Sequence, residues 1–193
     1  IIMKVVLFNG SERKEGNTYH SLKVVMDELE KEGIECEYIW LGGQNLQGCT
    51  ACGACAENKD GKCVLKGDKM NDYIDKMIEA DGIILGSPTY FANVSANMKA
   101  LMERAGYVCR ASGDLLKRKV GAAVVAVRRG GGAHVFSSLN YFFLIAQMIV
   151  VGSSYWNLGY GQQPGDVLDD DEGIQTFETL GKNIAFTLLK LND

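Results

Sequence analysis

Proline and histidine are almost missing from this 193-residue chain, with two of each. Two prolines exclude collagen-like and proline-rich segments, and a hydrophobic content of 47% excludes a disordered chain. Two histidines leave little for histidine-based acid–base catalysis or a histidine-rich metal site. Charge of one sign is also scarce: 20 basic against 24 acidic side chains give a net charge of −4. No long-range field therefore favours nucleic acid or an anionic membrane. The longest apolar run, Tyr141–Val151, has 11 residues and contains Gln147, whereas a membrane span needs about 18 or more. The opening stretch Ile1–Phe8 lacks the basic region and cleavage site of a signal peptide. What the chain does have is six cysteines, four of them (Cys49, Cys52, Cys55, Cys63) close together. Without export, thiols stay reduced, so a cluster of them points to metal binding or redox chemistry in a cytoplasmic protein.

Strand and helix patterns alternate along the chain. Met3–Phe8 reads as a buried parallel strand, Ile34–Trp40 as a half-exposed edge strand, and Ile83–Gly86 and Val120–Val127 as covered strands. Ile149–Ser153 can form a fifth. Helical spacing joins Leu22, Val25, Met26 and Leu29; Met70, Ile74, Met77 and Ile78; and Met98, Leu101 and Met102. The helix at His134–Met148 is apolar nearly all round, which predicts deep burial or an oligomer interface. A last helix runs from about Asp171, its acidic start Asp169–Glu172 suited to the helix dipole. Five strands alternating with five helices predict one doubly wound α/β domain over 1–193, its five-stranded parallel sheet ordered 2-1-3-4-5. Leu41–Asp68 is a 28-residue, cysteine-rich insertion where about 2–6 residues are usual.

In such sheets ligands bind beyond the carboxyl ends of the strands. Three loops fall there. Asn9–Thr18 combines a helix N-terminus with Ser11, Arg13, Asn17 and Thr18, a set suited to phosphate, although a plain polar turn capped by Asn17 or Thr18 would look the same. It matches neither the Walker A loop nor G-x-G-x-x-G. The second loop carries Pro88, Thr89, Tyr90 and Phe91, which could wall a flat heteroaromatic ring or simply pack under a helix. The third, Arg128-Arg129-Gly130-Gly131-Gly132, permits close backbone approach and can neutralise an anion, although a flexible surface loop would look the same. The cysteine spacing C-x2-C-x2-C-x7-C suits a [4Fe–4S] cluster, with zinc and free thiols as the other readings. Cys36 reads as core and Cys109 has no assigned role. His20 and His134 read as surface or packing residues. No acid–base device is visible, which suits chemistry done by a cofactor.

Phe8-Asn9-Gly10-Ser11-x-Arg13-x-x-Gly16-Asn17-Thr18, the cysteine run, Gly86–Phe91 and Lys99-Ala100-Leu101-Met102-x-Arg104 together resemble the iron–sulfur flavoprotein branch of the flavodoxin-like NADPH-dependent FMN reductases. The similarity continues through Arg129–Gly131 and Tyr155-Trp156-Asn157. By that resemblance FMN phosphate binds at Ser11, Arg13, Asn17 and Thr18, and the flavin ring at Pro88–Phe91 and near Arg129, Gly130 and Gly131. Cys49, Cys52, Cys55 and Cys63 match the family's compact cluster motif. Glu12 departs from it, since proline is common there, and adds a charge near the phosphate. The resemblance implies an FMN-dependent oxidoreductase that takes electrons from NAD(P)H or ferredoxin and passes them through the cluster to a small-molecule or protein acceptor. It also implies a homodimer or homotetramer. An FMN and iron–sulfur electron carrier without its own substrate, and a zinc-stabilised binding module, are the alternative readings.

Overall fold

A computed structural model describes residues 2–192, with the side chain of Asn192 left aside. The expected domain, 1–193, extends one residue past that span at each end. Its elements run β1 (Lys4–Asn9), α1 (Asn17–Lys31), β2 (Glu35–Trp40), α2 (Ala54–Asn58), α3 (Met70–Glu79), β3 (Gly82–Pro88), α4 (Ala96–Ala111), β4 (Val120–Val127), α5 (Gly132–Ile145), β5 (Ile149–Val150), β6 (Leu158–Tyr160) and α6 (Asp171–Asn192). The sheet is parallel in the order β2-β1-β3-β4-β5, as the alternating pattern predicts.

Every residue of β3 and β4 is buried, because helices cover both faces of the sheet. On one face Val5, Leu7, Ile84, Val120 and Val124 meet Leu22, Val25 and Leu29 of α1 and Phe177, Leu180, Ile184 and Leu188 of α6. On the other, Val6, Phe8, Ile83, Leu85, Ala123 and Val125 meet α3, α4 and α5. Side chains alternate along each strand, so one run of apolar residues serves two cores.

The fifth position of the sheet differs from expectation. Instead of one strand over 149–153, two short strands lie beside β4: Ile149 and Val150 pair Val120 and Gly121, while Leu158–Tyr160 pairs Val125–Val127. Asn157 bridges the gap, its Nδ2 donating to Ala123 O at 2.9 Å and its carbonyl accepting from Val125 N at 3.0 Å. That side chain replaces a missing ladder bond, so the chain between can bulge outward with Tyr155 and Trp156 exposed. Helix α5 starts two residues before the expected His134 and stops before Gln147, whose φ of +59° closes it. One face of α5 is buried through Val135, Leu139, Phe142 and Phe143, and the other exposes Tyr141, Leu144 and Ile145. Among the described residues no helix is long and apolar enough to cross a membrane.

Candidate functional site

β1, β3 and β4 end together, and the loops that follow them meet at one edge. Gly10 N donates to Gly86 O at 2.8 Å, joining the first loop to β3. Thr89 N donates to Ala126 O at 2.9 Å, joining the second loop to β4. The third loop closes on the second at Gly131. Its φ is +88°, and a Cβ there would lie 3.1 Å from Thr89 Cγ2 and 3.2 Å from Ala92 Cα. Glycine is what lets the backbones approach so closely.

The first loop turns on itself. Ser11 N donates to Asn9 Oδ1 at 2.9 Å, and Arg13 N to Ser11 Oγ at 3.1 Å. Helix α1 then begins at Gly16 with no side-chain cap, and His20 is the first residue whose N–H reaches a carbonyl inside it. The earlier N–H groups of an uncapped helix form an anion-binding cradle. Thr18 is 1% exposed and its Oγ1 has no hydrogen-bond partner. Thr89 Oγ1, on the second loop, is likewise buried and unpartnered. Buried hydroxyls without a partner are uncommon in folded proteins, and two on converging loops fit a missing polar ligand. Arg13 is exposed and donates through Nη1 to Gln162 O at 3.2 Å.

Asn17 is employed differently from the phosphate contact its position suggests. Its Oδ1 accepts from Gly165 N at 2.9 Å and Val167 N at 3.2 Å, tying the segment after β6 across the start of α1. That segment was not anticipated, because β6 is three residues long and carries no periodicity of its own. The glycines at 159, 161 and 165 are its only signal in the sequence.

The second loop is strained. Tyr90 and Asn93 exchange both main-chain hydrogen bonds across Phe91 and Ala92, whose φ values are +49° and +63°. Left-handed backbone at two non-glycine residues costs of order 1 kcal/mol or more each and concentrates at functional sites. Phe91 stands fully in solvent at the tip, and Tyr90 is 40% exposed. In the third loop Arg128, Arg129 and Gly130 are exposed, and among the described residues neither guanidinium has an ion-pair or hydrogen-bond partner. The edge thus offers uncapped amides, two orphan hydroxyls, exposed aromatics and free guanidinium groups.

These features accord with the comparisons. A family model for NADPH-dependent FMN reductases matches residues 3–163. An iron–sulfur flavoprotein of Methanocaldococcus jannaschii is 43% identical, over 95% of this chain and 96% of its own length. The chain belongs to the iron–sulfur flavoprotein branch of the NADPH-dependent FMN reductase family. An iron–sulfur flavoprotein of Methanosarcina thermophila is 32% identical, over 96% of this chain and 95% of its own. Among solved structures, an archaeal flavodoxin superposes with a TM-score of 0.63 at 19% identity, covering 97% of this chain and 99% of its own. The NAD(P)H:quinone oxidoreductase of Methanothermobacter marburgensis gives 0.70 at 12% identity, covering 95% and 98%. The last two bear on the fold alone.

The family's second feature, the cysteine segment, lies beside this edge but is built differently. Four free thiols occupy it: Cys63 buried, Cys49 and Cys55 half-buried, Cys52 exposed. The donor set is right in type and spacing for a thiolate-bound cluster. Among the described residues no three histidine, cysteine, aspartate or glutamate side chains gather around the position of a single metal ion. Cys36 and Cys109 take no part, and burial pushes both thiols up to about 12.

Helix α4 holds this segment. Asn97 Nδ2 donates to Leu41 O, Gln44 O and Glu12 Oε1, while Glu12 Oε2 accepts from Gly43 N. Glu12 therefore faces the insertion, where it joins the phosphate-side loop to the cysteine segment. Two turns on, Arg104 is 1% exposed and donates to Gln47 O, Cys63 Sγ, Leu65 O and Asp68. Burial alone would raise the Asp68 carboxyl, but the Arg104 guanidinium and the N–H groups of Met70 and Gln47 hold it below its ordinary value. The arginine closes the Lys99–Arg104 stretch of the family resemblance, and it shares a helical stripe with Asn97, Leu101 and Val108, where an unpaired charge would not survive burial.

Proposed function

We propose that the chain is one FMN-binding domain that works as an FMN-dependent oxidoreductase, taking electrons from NAD(P)H or ferredoxin and delivering them to a small-molecule or protein acceptor. The observation that carries the reading is the pair of orphan hydroxyls, Thr18 Oγ1 in the first turn of α1 and Thr89 Oγ1 on the loop after β3, both at the carboxyl edge of the sheet. In this assignment the uncapped start of α1, Ser11, Arg13 and Thr18 hold the FMN phosphate, and Asn17 contributes by pinning the 165–167 turn beside it. Pro88, Thr89, Tyr90, Phe91, Arg129, Gly130 and Gly131 border the ring. Bound FMN supplies a two-electron acceptor at N5 that can also be discharged one electron at a time.

The protein's own part is to bind and orient. Charge-assisted contacts from Arg13 and the helix amides fix the phosphate end. The strained Tyr90–Asn93 turn presents Tyr90 and Phe91 as a preset wall, so their ordering is completed during folding rather than at binding. Arg128 and Arg129 lie exposed at the same edge and suit an anionic donor. Free cysteines support a reducing, cytoplasmic setting. The exposed Tyr141, Leu144 and Ile145 on α5, with Tyr107 on α4, support a homodimer or homotetramer.

We also assign Cys49, Cys52, Cys55 and Cys63 to a [4Fe–4S] cluster, on the relatives' names and the thiol spacing, with no electron step derived through it. An anaerobic preparation tests both assignments. Flavin absorption that bleaches with NADPH, together with iron and acid-labile sulfide, is the expected result. Reduction by a ferredoxin with no turnover of a small-molecule acceptor would make the chain an electron carrier. A colourless protein with stoichiometric zinc would overturn the reading.

A further inference from the structure

The four thiols are not equivalent, and the difference lies in what holds them. Cys63 is fixed at both ends. Its N–H donates to Asn71 Oδ1 at 2.8 Å, its carbonyl accepts from Asn71 Nδ2 at 2.9 Å, and its Sγ accepts from Arg104 Nε at 3.3 Å. Both partners sit on regular helices, α3 and α4, packed in the core. The segment that bears the other three thiols is bonded largely to itself. Ala51 N donates to Cys49 Sγ, Ala56 N and Glu57 N to Gly53 O, and Lys59 N to Cys55 O. Among the described residues it is tied to α4 and its C-cap by Cys49 N to Glu103 Oε2 at 3.4 Å and Gly61 N to Ser112 Oγ at 3.0 Å, with Cys55 packed on the core, and Ala51, Gly53, Lys59 and Gly61 all have positive φ.

We infer that Cys63 is a preset anchor for the cluster and that Arg104 is the positioning residue that holds it. This rests on the cluster assignment above. Arg104 suits the task because a planar guanidinium offers five donors in a fixed fork. Four acceptors at residues 47, 63, 65 and 68 use that fork here, so a single buried group sets both flanks of the cysteine segment. An N–H aimed at sulfur also suits a thiolate that ligates iron.

The test compares thiols within one chain, so that a general loosening of the fold moves both members of the comparison. FMN-loaded protein, freed of iron by a chelator, is treated with iodoacetamide and each cysteine is followed by peptide mapping. In the wild type Cys63 should react at least tenfold more slowly than Cys52. In Arg104→Met the two rates should come within about threefold, and iron uptake on anaerobic reconstitution should drop to under a third. Arg104→Lys, which keeps the charge but not the fork, should fall between the two in both readouts, and it serves as the variant of record if Arg104→Met does not retain FMN. Equal rates for Cys63 and Cys52 in the wild type would overturn the inference. So would wild-type iron uptake by Arg104→Met or, where that variant does not retain FMN, by Arg104→Lys. A wild type that takes up no iron would overturn the cluster assignment instead, and the anchor with it.

Discussion

The three loops at the sheet edge and the cysteine segment make an instructive contrast. The loops are positioned by main-chain hydrogen bonds that continue the strands, such as Gly10 N to Gly86 O and Thr89 N to Ala126 O. The cysteine segment is positioned by side chains of two helices: Asn97, Glu103 and Arg104 of α4 and Asn71 of α3. A backbone-built site follows automatically once the sheet forms. One hung on a few side chains depends on each of them.

That contrast can be broken from either end. The largest effect is expected at the clamp. Asp68→Ala leaves the Arg104 guanidinium buried without its counter-charge, which should cost about 3 kcal/mol or more in urea unfolding, as for other broken buried pairs. Next is the loop crossing: Gly131→Val puts a branched side chain where φ is +88° and a Cβ already lies 3.1 Å from Thr89 Cγ2. Flavin titration should show FMN affinity reduced by tenfold or more, with the cysteine reactivities unchanged.

Arg13→Ala removes a charge from the phosphate end and should weaken FMN binding about tenfold, or about 1.4 kcal/mol. The exposed Lys117→Ala should leave it as it was, and equal affinities for the two variants would remove Arg13 from the site. The pH dependence is smaller and its sign is set by Asp68. Because its folded-state carboxyl is held below the unfolded value, its contribution is present above the ordinary carboxylate range. It is lost as pH falls through the folded value, so acid unfolding should be less steep in Asp68→Asn. The smallest effect is at the strained turn, where Phe91→Gly relieves a φ of +49° and should raise the thermal midpoint, by about 0.5–1 kcal/mol of stability.

The sequence by itself determined the layered architecture and where to look for the candidate site. Runs such as Val120–Val127 are short, valine-rich and without a polar face, which suits strands covered on both sides, and in a parallel sheet the loops after them lie at one edge. The residues of those loops were legible for the same reason: Ser11, Thr89 and Gly131 lie within four positions of a strand end, and Thr18 lies in the first turn of the helix that follows. Tertiary structure decided the rest. It split the fifth strand around Asn157, turned Asn17 and Glu12 to neighbouring segments, and gave Arg104 its four acceptors. Local periodicity reports which way a side chain faces from its own element. It carries no information on which distant carbonyl, carboxylate or sulfur will be there to meet it, because that is set by how the layers pack.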